Sequence, residues 1–534
     1  MIRNTVKKTI EQVLKEEKFP KVSYEVRESS NVKFGDYSTN VVMKLEKAQD
    51  KHSKLECAKK FIAKAEKFEE FSKVDFVEPG FVNFYIEPST ITNNIQKIIK
   101  EDESFGENEI NKGKKASVEF ISANPTGPLH IGNARGGPLG DTIANVLSAS
   151  GYQVIREYYD NNLGTQVDVF AENLKGMIDG EVVMDQYQGE FYNDLAARLN
   201  NLSGKSLDEI RETAIKLIFE EILVDIKSMG IRFDKIQHES DLQKSGRTEK
   251  VVKYLSSKGL TKEKDDALWF ALEHHPVKDK EAVLRRSDER YTYFADDIAF
   301  HELKFENKPD LVVDVLGSNH HGHVPRLRAA VKALGFEEKK FKVILYQYVR
   351  VKKGKDIVSM SKRAGNFITA GEVIDEVGRD AFRFFLLSHS PSTHMDFDLE
   401  LAKKRNESNP VYYVQYAYAR VSNILKKAKE EGFSHEKFIG ADLSLLRQPQ
   451  ELALAKKLLK LPDLVEDLSE SLAVNQFTTY LVELAEMFHK YYESYRVIGE
   501  KEDIAKARLN LILATKIVLR NTLNLVGVSA PESM

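Results

Sequence analysis

The chain has 534 residues, 42% of them hydrophobic and 30% charged, with a net charge of −3, the balance of a globular protein with room for roughly two to four domains and a large core. A single cysteine, Cys57, excludes an intrachain disulfide and a cysteine-built zinc site. No apolar run reaches the roughly 18 residues that a membrane span requires, so no membrane partner is expected.

In chain order, residues 1–110 open with a helical pattern (Ile10, Val13, Leu14), carry the turn FGDYSTN at 34–40, and close on a half-buried strand pair around VEPGFVNFYIE. The first stretch is basic and amphipathic but contains Glu11, Glu16 and Glu17, which opposes a transit peptide and gives a cytoplasmic expectation. Residues 101–115 are acidic with Asn and Gly and read as a linker. From 111 to about 400 strands and helices alternate, predicting an α/β unit with a parallel, doubly wound sheet. Its strand candidates are 117–121, 153–159, 311–316 and 341–349, and a helical insertion is expected at about 181–265. From 401 to 534 the periodicity is helical, with leucine-rich stretches at 451–487 and 504–527, predicting an all-α bundle.

Two segments far apart carry the chemistry. SVEFISANPTGPLHIGN at 117–133 reads as strand, turn and helix start, the turn built from Asn124, Pro125, Thr126, Gly127 and Pro128. Unpaired N–H groups at a helix start favour phosphate, His130 adds a donor, and Gly132 lets a ligand approach the backbone. Leu139, Ile143 and Leu147 follow at helical spacing, whereas Pro138 would kink a helix that began near Asn133. A plainer reading is an ordinary turn with a capping Asn and a satisfied His. The second segment, VRVKKGKDIVSMSKRAGN, alternates Lys352, Lys353, Lys355, Lys362 and Arg363 with Gly and Ser, a composition able to close over a triphosphate and stabilise departing pyrophosphate. Taken alone it reads as a solvated basic turn in preference.

Together these segments resemble the two signature sequences of class I aminoacyl-tRNA synthetases, and the chain resembles the arginyl-tRNA synthetase family along nearly its whole length. The likeness runs through FGDYSTNVVMKL, VEPGFVNFYI, EYYDNNLGTQ, TYFADDIAFHELKF, GSNHHGHVPRL, NPVYYVQYAYAR and VGVSAPESM. It implies a Rossmann-like catalytic domain between an α+β N-terminal tRNA-binding domain and an anticodon-binding bundle. It also implies formation of arginyl-adenylate from L-arginine and ATP with Mg2+, followed by transfer to the tRNA specific for arginine.

Matched to this sequence, the resemblance gives Glu119, Asn124, Gln166, Tyr293, Asp297 and His320 to arginine, Glu119 at its ammonium and Tyr293 with Asp297 at its guanidinium. It gives His130, Gly132, Asn133, His320, Met360, Ser361 and Lys362 to ATP, with His130, Asn133 and Lys362 as the catalytic set holding phosphates. Tyr159 is a further pocket candidate. Expected tRNA contacts are Phe34, Tyr37 and Asn40 at the outer corner of the molecule. On the bundle they are Tyr412, Tyr413, Gln415, Tyr416, Arg420, Tyr491 and Met534, while lysine-rich stretches at 44–67 and 352–363 and the run Lys403, Lys404 and Arg405 could form a basic track. His320, His321 and His323 invite a metal, but no adjacent acid or cysteine completes a usual set, so no structural metal is expected. A monomer is the expected state.

Three departures stand out. Asn133 replaces the usual His of the first signature, and Ser359 replaces the usual opening Lys of the second. Gly127 sits where some relatives lacking that lysine carry a substitute, which leaves Lys352, Lys353 and Lys355 as candidates. Asn319 stands where the family has Asp, and Asp is also expected at Asn162. Two other readings use the same residues: an RNA-binding relative with a decayed synthetase site, and a different adenylyl transferase without a tRNA substrate.

Overall fold

A computed structural model describes residues 2–29, 31–48, 54–181, 187–271, 282–354, 356–358 and 368–534. The first unit is a four-stranded antiparallel sheet of β1 (Val26–Glu28), β2 (Tyr37–Thr39), β3 (Phe71–Val77) and β4 (Phe81–Ile86), ordered β1-β2-β4-β3. The helix Ile2–Glu16 buries Val6, Ile10, Val13 and Leu14, the i, i+4, i+7 stripe that pins an amphipathic helix.

Next come β5 (Lys115–Phe120), β6 (Gln153–Asp160) and β7 (Lys235–His238), a three-stranded hairpin sheet of β8 (Thr261–Lys264), β9 (Ala267–Phe270) and β10 (Ala282–Arg285), then β11 (Leu311–Gly317) and β12 (Phe341–Tyr346). Strands β12-β11-β5-β6-β7 form one parallel sheet. The chain winds outward from β5 to β7, then returns to β5's other side through β11 and β12. The winding therefore reverses between β5 and β11, the crevice where open α/β sheets bind ligands. Gly140 explains how closely the helix Gly136–Ala149 lies on this sheet, since a Cβ there would run into the Phe120 ring.

Several expectations change. The 181–265 segment is not helical throughout: β7 lies inside it and pairs with β6. The strand expected at 341–349 ends at Tyr346 and a new one, β13 (Val349–Lys353), begins after a break; Gln347 N–H bonds Pro391 O and its carbonyl accepts from Arg135, which removes it from the ladder. Strand β13 pairs with β14 (Asp356–Val358) and β15 (Met395–Asp398). The 101–115 stretch is stitched down, with Asn111 N–H on Ser150 O at 3.0 Å and Asn521 Nδ2 on Phe105 O at 2.9 Å. Pro138 causes no kink, because the helix Ile131–Ala134 stops and Gly136–Ala149 restarts with Pro138 in its first turn, where no N–H is required.

The helices Pro410–Glu430, Gln476–Ser494 and Glu502–Leu525 pack together as the C-terminal bundle. It meets the first unit through Arg3, which bonds Asp467 at 2.6 Å, and through Lys456 on Asp36 at 2.5 Å. It meets the central unit at Arg383, whose guanidinium is fully buried and donates to Val526 O, Met229 O and Asp141 Oδ2 at 3.0, 3.0 and 2.6 Å. Among the described residues no helix is long and apolar enough to cross a membrane.

Candidate functional site

Leaving β5, the backbone takes a left-handed path at Ile121 (φ 68°) and Ser122 (φ 41°), a conformation costly for a β-branched residue and typical of binding sites. Ser122 holds it, its Oγ donating to Glu119 at 2.8 Å and accepting from Tyr159 N–H at 3.1 Å. Beyond it Asn124 Nδ2 donates to Gln166 Oε1 at 2.8 Å, and Asn161 Nδ2 donates to Asn124 Oδ1 at 3.0 Å. His130 then caps the short helix, its Nδ1 accepting from Asn133 N–H at 3.2 Å. The capping side chain is thus the histidine, and Asn133 supplies the capped N–H.

Residues 129–131 pair with 368–370: Ile131 N–H bonds Ile368 O at 3.1 Å and Ala370 N–H bonds Leu129 O at 2.8 Å. The first signature is thereby fastened to the stretch that follows the second. Lys355, Ser359, Met360, Ser361, Lys362 and Arg363 lie outside the described residues. Of the remaining substitute lysines, Lys352 is spent on Asp396 at 2.6 Å and Lys353 is exposed.

Over the β5–β11 crevice lies a cavity of about 1300 Å³ lined by Glu119, Asn124, His130, Asn133, Tyr159, Gln166, Tyr293, Asp297 and His320. Gly132 is buried behind the His130 ring and does not line it. One cluster of carboxylates in the cavity wall combines Asp296, in the first turn of the helix Tyr293–Glu306, with Asp297 beside it and Glu239 just past β7. Asp296 accepts from Thr248 Oγ1 at 2.6 Å and Gln243 Nε2 at 2.8 Å, and Asp297 pairs with His323 Nε2 at 2.7 Å. Burial first, then Asp296 and Asp297, push the Glu239 carboxyl up to about 9, so at neutral pH the unliganded cluster holds a proton it would give up to a cation. The Tyr159 ring stacks on Phe300 at 4.5 Å, and its buried hydroxyl makes no hydrogen bond among the described residues.

Sequence reasoning missed Glu239, Asp296, His301 and Lys304. A signal existed for the last two: Tyr293, Asp297, His301 and Lys304 form a polar stripe at helical spacing within an apolar helix. Asn162, expected to be Asp, donates to Ser240 Oγ at 3.1 Å and accepts from Ser240 N–H at 2.9 Å, a double role that an ionised carboxylate could not fill.

For RNA contacts the structure separates the candidates. Phe34 is 46% exposed and lines, with Asn40, Phe81 and Asn83, a second cavity of about 470 Å³. Tyr37 is turned inward, buried and bonded to Asp463 at 3.1 Å, so it cannot stack on a base. Tyr412 and Tyr416 stack at 6.2 Å, with Arg420 4.8 Å above the Tyr416 ring and 5.7 Å from Tyr492. Gln415 is buried and bonded to Asp380 at 2.8 Å, and Tyr491 is fully buried, so both are structural. Met534 is exposed, and Tyr413 is half-buried against His489. Lys403 in the proposed basic run pairs with Glu376, which weakens that track.

The family model described as the arginyl tRNA synthetase N terminal domain matches residues 1–86, that of tRNA synthetases class I (R), catalytic domain, matches 94–386, and the DALR anticodon binding domain matches 414–534. The arginine–tRNA ligase of Syntrophotalea carbinolica is 39% identical over 96% of this chain and 95% of its own; that of Thermotoga maritima is 36% identical over the whole of both. The Thermus thermophilus arginyl-tRNA synthetase structure, 22% identical, has the same fold over all of both chains with a TM-score of 0.80. With the catalytic-domain match covering more than half of the sequence and full-length relatives above one-third identity, the chain belongs to the arginyl-tRNA synthetase family.

Proposed function

We propose that this chain joins L-arginine to its tRNA at the expense of ATP, and that the 1300 Å³ cavity is where arginyl-adenylate forms. The observation that carries the reading is the cluster Glu239, Asp296 and Asp297 in the same cavity as His130, Asn133 and His320. A planar guanidinium donates parallel pairs of N–H bonds to carboxylates, which a lysine ammonium cannot reproduce, and Tyr293 with the Tyr159 hydroxyl completes a wall for it. Glu119 takes the α-ammonium, while Asn124 and Gln166, bonded to each other, orient the carboxylate end.

The arginine carboxylate attacks the α-phosphorus of ATP, supplied with Mg2+, and pyrophosphate leaves. The arginyl group then passes to the 2′-hydroxyl of the terminal adenosine of tRNA, and AMP departs. The protein's part is positioning and charge, with His130, Asn133 and Lys362 on the phosphates and Gly132, Met360 and Ser361 beside the nucleotide. The domains divide at about 110 and 400. The exposed Phe34 with Asn40 at one end, and Tyr412, Tyr416 and Arg420 with Met534 at the other, are the tRNA contacts. The enzyme works as a cytoplasmic monomer without a structural metal.

Amino-acid-dependent exchange of pyrophosphate into ATP, with and without tRNA, tests the reading against all twenty amino acids. Exchange and charging with arginine alone are expected. Tight tRNA binding with neither activity would overturn it in favour of a binding protein.

A further inference from the structure

Across three adjacent strands the structure lines up three carboxylates: Asp314 on β11 is the register partner of Glu119 on β5, and Glu119 is the register partner of Glu157 on β6. Like charges directly opposite one another in a sheet repel, and Glu119, Asp314 and His301 form the one metal-like grouping among the described residues. A lysine fills it. Lys304 is completely buried, its ammonium donating to Glu119 Oε2 and, at 2.8 Å, to Asp314 Oδ1, with the Phe300 ring centroid 4.4 Å away. Asp314 uses its other oxygen on His301 Nε2 at 2.8 Å, and His301 Nδ1 meets the Asp297 carbonyl at 2.7 Å. Burial works against the Asp314 charge, yet Lys304 and His301 outweigh it and hold this carboxyl below the usual range.

The network therefore joins the strand that carries Glu119 to the helix Tyr293–Glu306 that carries Tyr293, Asp296 and Asp297. Glu119 stands at the ammonium end of the arginine pocket and the helix at the guanidinium end, a statement that rests on the reading given above. We infer that Lys304, with His301, is a positioning residue that fixes the spacing between the two ends of that pocket, and so sets the length of amino acid the enzyme accepts. Neutralisation of the carboxylate row alone would be a purely structural role. Spacing adds a consequence of its own: selectivity between arginine and analogues one methylene longer or shorter depends on the reach of residue 304.

The test is exchange kinetics with arginine, homoarginine and 2-amino-4-guanidinobutanoate for the intact enzyme and for Lys304→Met, Lys304→Arg and His301→Gln. One methylene is worth about 10–200-fold in a fitted site. Lys304→Met should raise the arginine KM about tenfold or more and erase most of that preference, with the ATP KM changed less than about twofold. Lys304→Arg keeps the charge but changes its reach, so it should retain exchange while shifting the ratio among the three substrates by several-fold; His301→Gln should lower the ratio less. Folding of each variant is checked by thermal melting. Unchanged ratios in folded Lys304→Arg and His301→Gln would overturn the inference even if Lys304→Met fails to fold, and so would a parallel rise of both KM values. All exchange is measured with tRNA present, and absence of both arginine exchange and charging in the unsubstituted enzyme would instead overturn the functional reading beneath it.

Discussion

The hydroxyl of Tyr192 lies 2.9 Å from where a Cβ on Gly127 would stand, and it donates to the carbonyl of Thr126 at 3.0 Å. Tyr192 is 4% exposed and packs its ring against Phe170, Tyr187 and Phe191, so it cannot easily retreat. The space a side chain at 127 would need is thus filled from the helix Glu190–Arg198. Gly127→Ala should cost about 1–3 kcal/mol through overpacking, and Tyr192→Phe about 1 kcal/mol through one lost hydrogen bond. Because the two groups touch, the double variant should be less destabilised than the sum by at least about 0.5 kcal/mol in denaturant unfolding; strict additivity would show that the contact is not limiting.

Glu239→Gln should separate stability from recognition. The carboxyl of Glu239 is pushed up from 4.5 to about 9 in the folded protein by burial, Asp296 and Asp297. The folded state thus holds this proton more tightly than the unfolded chain, and the stability contributed is full below 4.5 and lost as pH rises toward 9. At pH 8 the glutamine variant should therefore melt higher than the parent, the difference closing as pH falls. Its arginine KM should rise by about 10–100-fold, the loss of a charged hydrogen bond. A variant that melts lower at pH 8 would contradict the assignment of a buried proton.

Arg135 donates from a buried position to three backbone carbonyls, those of Gln347, Thr393 and Ser390, at 2.8, 2.9 and 3.0 Å. Burial lowers its pKa to about 10. It ties the start of the helix Gly136–Ala149 to the base of the β13 hairpin. Arg135 uses two nitrogens, Nη1 on Gln347 and Thr393 and Nη2 on Ser390, a fork that the single ammonium of lysine does not reproduce, so Arg135→Lys should lose about 2–3 kcal/mol in chemical denaturation. A loss under about 0.5 kcal/mol would mean that the hairpin base is held by other contacts.

Binding of tRNA distinguishes the inward from the outward aromatic of FGDYSTN. Phe34→Ala should weaken tRNA binding in a filter assay by about 1–3 kcal/mol, the worth of one stacked base. Tyr37→Phe removes only the bond to Asp463 and should leave tRNA affinity within twofold while lowering stability by about 1 kcal/mol. The reverse pattern would move the contact to the seam between the first unit and the bundle.

What could be read from the sequence follows from where information sits along a chain. Glu119, His130, Asn133 and His320 all line the cavity, where the family resemblance implied they would be; Glu119 and His320 also stand at or just beyond the ends of apolar strands, where open sheets bind ligands. Glu239 was not legible, because β7 reads KIQH, too short and polar to stand out from the helices around it. Lys304 lies on a polar stripe of its helix, a sign that it faces something polar, but nothing local to it identifies the carboxylates that arrive from β5 and β11. Phe34 and Tyr37 are chemically alike, and what separates them is context that arrives from elsewhere: Tyr37 is paired between β1 and β4 and bonded to Asp463 from far along the chain. Contacts between distant segments are the part that a single sequence does not print.

Arg383 carries a consequence for biosynthesis. Its guanidinium needs Asp141, Met229 and Val526 together, and these arrive on the ribosome at very different times. Asp141 belongs to the helix that begins just behind His130 and Asn133, so a chain that ends before residue 526 leaves the Arg383 guanidinium one acceptor short beside that helix. Chains interrupted before that point contain every residue assigned above to arginine and ATP, and should nevertheless be cut more readily by protease at the helix behind His130 than the full chain.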